Sequence, residues 1–148
     1  MPAVGLAVPG EHAEAALDLI EPLRALGPAY LVAEFDARKG HDAGLAQIYG
    51  ELARALGADL VLEVVLPCVD GEEKPTADLE VLRRDLNYVK GQIERVAVRP
   101  VRIAISPACD LKCTLPGSIW PKAPTWEELV SAARAAFPGI PLGGGMFS

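Results

Sequence analysis

The alternation of short apolar runs with amphipathic segments constrains this chain more than any other feature. "VGLAVPG" at residues 4–10 is an apolar run halted by Pro-Gly, which reads as a buried strand entering a loop. "EHAEAALDLIEPLRALG" at 11–27 then places Ala16, Leu19, Ile20, Leu23 and Leu26 at helical spacing and closes on Gly27. Pro22 inside that stretch predicts a bend or a split into two helices. The pattern returns in "YLVAEFD" (30–36) and "AGLAQIYGELARALG" (43–57), a strand and a helix again stopped by glycine. It returns once more in "DLVLEVVLP" (59–67) and "TADLEVLRRDLNYVKGQIE" (76–94), where Leu79, Leu82, Leu86, Val89 and Ile93 share one face. A fourth strand is expected at 101–106. A fourth helix begins at Thr125, where Thr125-Trp126-Glu127-Glu128 fits a capping box. "IPLGGGMFS" reads as a fifth strand.

Strand–helix–strand connections of this length produce parallel neighbours joined by right-handed crossovers. Two architectures satisfy that order: an open doubly wound sheet, or part of a (β/α)8 barrel of the TIM type. No Gly-x-Gly-x-x-Gly follows the first strand, so the dinucleotide fingerprint is missing. Glu34, Asp36 and Glu63 fall within strands, where a barrel's inward face and upper rim have use for carboxylates. A full barrel needs about 250 residues, so five strands are a fair share for 148. The expectation is one α/β domain over 1–148 built of parallel βα repeats. It would be the N-terminal part of a larger barrel, a fragment ending after its fifth strand.

The net charge of −6 is the wrong sign for a phosphate-binding surface, so neither nucleic acid nor an anionic membrane is an expected partner. No leader-like segment and no membrane-spanning apolar run is present, and three cysteines make an odd number for a disulfide framework. A cytoplasmic location is the expectation. Cys109 and Cys113 are spaced wrongly for a zinc knuckle and have no second pair, and His12 and His41 come from other loops. Neither a metal nor another cofactor is expected. The triple glycine at 143–145 suits close approach of a ligand or a neighbouring strand. It is not a phosphate loop, since no Lys-Ser/Thr follows.

Over residues 101–148 the chain is more distinctive. Ser106-Pro107, Asp110-Leu111-Lys112, Pro116-Gly117-Ser118, Trp120-Pro121 and the glycine strand running into Met146-Phe147-Ser148 together resemble the D-apionate lactonase family. Before Val101 the similarity is one of alternating strands and helices. The resemblance implies a barrel-like catalytic domain, hydrolysis of a sugar-acid lactone, and a small-molecule lactone as partner. In that family the glycine strand continues into an aromatic residue and an acidic-Asn-Arg segment, which this chain does not reach.

Lactone hydrolysis needs a base or a nucleophile, an oxyanion donor, and polar groups for the sugar hydroxyls. Glu34 and Asp36 share one face of the second strand, because side chains alternate along it. Glu63 sits mid-strand between Leu62 and Val64. If Glu34 and Glu63 occupy adjacent strands they can meet as an acid–base pair. An ion pair with Arg102 on the fourth strand is the competing account, and a substrate contact is the other role open to Arg102. Lys112 suits an oxyanion or a substrate carboxylate, and Asp110 a sugar hydroxyl; a surface salt bridge between them is the alternative. Trp120 is a platform for a sugar face or a plug against the barrel. His41 follows the second strand and is either a substrate contact or an exposed loop histidine. The catalytic candidates are thus Glu34, Glu63, Asp36 and Lys112, and the substrate-binding candidates Asp110, Trp120, Arg102 and His41. Two other functions stay open. One is a glycosidase-type barrel using two carboxylates. The other is a non-catalytic half-barrel that binds a second copy, or its missing half, through its sheet edges.

Overall fold

The computed structural model describes residues 3–36, 44–66, 79–96, 98–107 and 126–144. Its strands are β1 (Gly5–Val8), β2 (Tyr30–Asp36), β3 (Asp59–Leu66), β4 (Arg102–Pro107) and β5 (Leu142–Gly144). The helices are α1 (Ala13–Leu17), α2 (Ile20–Ala25), α3 (Leu45–Leu56), α4 (Leu79–Arg95) and α5 (Trp126–Ala136). The Thr125 of the expected capping box lies outside the described residues.

Pro22 splits the first helical segment. It has no N–H to offer the Asp18 carbonyl four residues back, and its ring crowds that group. The chain therefore leaves the α-helical pattern after Leu17, and the amides of Asp18 and Leu19 donate to Ala15 and Ala16, three residues back. Helix α3 ends as its glycine predicts. Gly57 takes the left-handed conformation (φ 64°), its N–H donates to Arg54, and the Ala58 N–H reaches back to Ala53, which is the Schellman pattern. Gly50 serves a different purpose. A Cβ there would stand 2.5 Å from a methyl of Val96, so its absence lets the segment after α4 close onto α3. Gly50→Ala is expected to lose stability by about 1 kcal/mol. Overpacking of about 1–3 kcal/mol outweighs the helix-propensity gain of about 1 kcal/mol. Urea denaturation checks this, and a gain in stability contradicts it.

All five strands are parallel and lie in one sheet in chain order, β1-β2-β3-β4-β5. A doubly wound sheet reverses its strand order and so sends helices to both faces. Here every right-handed crossover leads to the next strand on the same side, and all the helices collect on one face. Helices α1 and α2 pack against α3, α3 against α4, and α4 against α5. This is the arrangement of a TIM-type barrel wall. Among the described strands the sheet is open, with β1 and β5 at its edges.

The two faces differ in burial. Leu31, Ala33, Phe35, Leu60, Leu62, Val64 and Ile103 point to the helices and are buried. They share one core with Leu52, Leu86, Val89 and Ala133 from the helices and Phe137 just after α5. The alternate positions Val32, Glu34, Val61, Glu63, Ala104 and Gly143 point to the inner face and are only half-buried. No helix among the described residues is long and apolar enough to cross a membrane.

Candidate functional site

The register of the sheet decides which side chains meet. Glu34 pairs with Glu63, Glu63 with Ala104, and Ala104 with Gly143. Partners in a parallel sheet point to the same face, so one rung of the inner face reads Glu-Glu-Ala-Gly from β2 to β5. Neighbouring strands lie about 4.8 Å apart, which sets the two carboxylates side by side and within reach of one ligand. Carboxyl oxygens so placed can accept hydrogen bonds from the hydroxyls of one ligand. The rest of the rung is small. A Cβ added to Gly143 would meet no atom of the described residues within 4 Å, so among them the rung leaves space on the β5 side.

One rung toward the strand starts, Ala7, Val32, Val61 and Arg102 stand in register. Arg102 is the first residue of β4 and is exposed, while the position facing Glu63 is Ala104. The structure thus brings Glu34 and Glu63 together and sets Arg102 at the amino-terminal end of its strand. Barrel sites form at the other end. Asp36 is the last residue of β2, in register with Val65 and one rung above the pair; its side chain lies outside the described residues. Asp110, Lys112, Trp120, His41, Cys109 and Cys113 also lie outside them. His12 ends the short turn after β1, is exposed, and has its Nε2 3.7 Å from Glu11. Among the described residues no group of three or more His, Cys, Asp or Glu gathers as a metal site would require.

A groove of about 360 Å³ lies elsewhere among the described residues: it opens between α4 and the end of α5, over Ile93, Pro100 and Phe137. Neither carboxylate lines it, so its size carries no chemistry for them.

Sequence reasoning missed Tyr49. On α3 it reads as one more apolar position, and it is fully buried. Its hydroxyl nevertheless donates to the Val8 carbonyl at 2.5 Å and accepts the Glu34 backbone N–H at 3.3 Å. Its ring meets Phe35 edge-on, with centroids 5.5 Å apart. Burial pushes the phenol well above its ordinary pKa, so it remains a proton donor. The signal available was a single polar atom on an otherwise apolar helix face.

Comparison with known proteins agrees with this geometry. Residues 4–148 match the family model described as D-apionate lactonase, TIM barrel domain. A curated D-apionate lactonase of Brucella anthropi is 34% identical over 148 residues, which is the whole of this chain. The chain spans 23% of the length of that relative. With a matching profile along nearly its entire length and the sheet order of a barrel wall, the chain belongs to the D-apionate lactonase TIM barrel domain family.

Proposed function

We propose that this chain forms one wall of a lactonase-type hydrolase site, acting on a sugar-acid lactone of the D-apionolactone kind. The Glu34–Glu63 rung on the inner face is the observation that carries the reading. One carboxylate takes a proton from water as the water oxygen attacks the lactone carbonyl. The Lys112 ammonium is assigned the developing oxyanion. As the ring C–O bond breaks, the departing alkoxide takes a proton from the other carboxyl, and the product is the open hydroxy acid. Lactone and water are thereby fully accounted for, and no redox partner is needed. Asp36, Asp110, Trp120 and His41 are assigned to holding the hydroxyls and the apolar face of the sugar.

The relative's name supports the class of substrate, and the half-buried setting of the pair supports access by a polar ligand. The test is proton release from a panel of aldonolactones, including D-apionolactone, by the intact gene product that contains this chain. Saturable turnover above the buffer rate is expected for at least one five-membered lactone. A rate equal to buffer across the panel overturns the proposal.

A further inference from the structure

Packing alone does not account for the Tyr49 hydroxyl. A phenylalanine would fill the same buried space beside Phe35. The hydroxyl instead sits where the pairing of β1 with β2 stops, at Val8 and Ala33. Beyond that point Pro9 has no N–H to give, and the chain turns away through Gly10–His12. Glu34 is the first residue of β2 past the last paired position. Its N–H meets the Tyr49 oxygen, and that oxygen is held in turn by the Val8 carbonyl. The Glu34 carbonyl faces the same turn, 3.8 Å from where a Cβ on Gly10 would stand. The backbone N–H of the carboxylate residue is therefore held just where its strand loses a neighbour.

We infer that Tyr49 is a positioning residue: through the Glu34 backbone it fixes the direction in which that carboxylate leaves the strand and faces Glu63 and the substrate. This rests on the reading of Glu34 as catalytic. A side chain anchored at its own Cα transmits a small backbone shift directly to the carboxylate, and misplacement by about 1 Å can cost about 100-fold in rate.

The test is Tyr49→Phe in the intact protein, with Glu34→Gln beside it and Tyr30→Phe, a partly exposed tyrosine at the strand start, as control. Tyr49→Phe is expected to lower kcat for lactone opening by about 10- to 100-fold. KM should stay unchanged and the acid limb of the pH profile should move, while Tyr30→Phe leaves both as in wild type. Wild-type kcat and pH profile in Tyr49→Phe, together with an inactive Glu34→Gln, overturn the positioning role and leave the catalytic reading standing. Full turnover in Glu34→Gln overturns the catalytic reading itself, whatever Tyr49→Phe does. Amide hydrogen exchange in the wild-type protein gives a reading independent of activity. Slow exchange of the Glu34 N–H, comparable to that of Leu62 in the sheet centre, supports the bridge; exchange at the rate of an open amide overturns it.

Discussion

Glu63→Gln is expected to lower kcat/KM for lactone opening by about 10²- to 10⁴-fold, the range over which a positioned acid or base contributes. The amide keeps the size of the carboxyl and its ability to accept a hydrogen bond, but it cannot shuttle a proton. The fold should barely notice the change. Glu63 is half-buried on the inner face, outside the packed core, and the amide is nearly isosteric with the carboxyl. Thermal melting of the variant should therefore match wild type within the equivalent of about 0.5 kcal/mol. A pH-stat assay on the intact protein measures the first quantity and calorimetry the second. An activity loss smaller than about threefold would remove Glu63 from the chemistry. A large loss of stability would show that the carboxylate is structural, as an ion-paired residue would be. Arg102→Gln provides the contrast. Arg102 starts β4, away from the strand ends where barrel sites form, and a much smaller loss is expected.

The second large effect concerns the core. Phe35→Ala is expected to cost about 3–5 kcal/mol of folding free energy. Phe35 is fully buried on the helix-facing side of β2 and meets the Tyr49 ring edge-on. Truncation removes its transfer free energy, leaves a cavity between sheet and α3, and takes away the surface that holds Tyr49 in place. Domains have only about 5–15 kcal/mol in reserve, so the variant should unfold at a much lower urea concentration. An unchanged m-value would show that the loss is one of stability and not of cooperativity. A cost below about 1.5 kcal/mol would mean that the helix layer can collapse into the space.

Much of this architecture is legible in the residues. The span of β2 coincides with "YLVAEFD", because a run of β-branched, aromatic and aliphatic residues is bounded by glycine and polar segments. The split at Pro22 and the left-handed Gly57 follow from the stereochemistry of those two residue types. The choice between a barrel wall and a doubly wound sheet rests on strand order, and local pattern carries only indirect hints of that order. The pairing of Glu34 with Glu63 was legible only as a condition. Each is the fifth residue of its strand, in "YLVAE" and "DLVLE", and the parallel start of β2 and β3 aligns them. That alignment depends on how α3 and its loops return the chain to the sheet, which no window of sequence specifies. Tyr49 was beyond reach for a related reason. The groups it joins are backbone atoms 41 and 15 residues away, and backbone partners leave no trace in residue identity.

The succession of strands has a further consequence for biogenesis. Every ladder among the described strands joins a strand to the one synthesised just before it, so translation delivers these neighbours in pairing order. Each of the described βα units therefore meets an edge that precedes it in the chain, and these four ladders close only short loops. The Glu34–Glu63 rung accordingly draws on no strand later than β3.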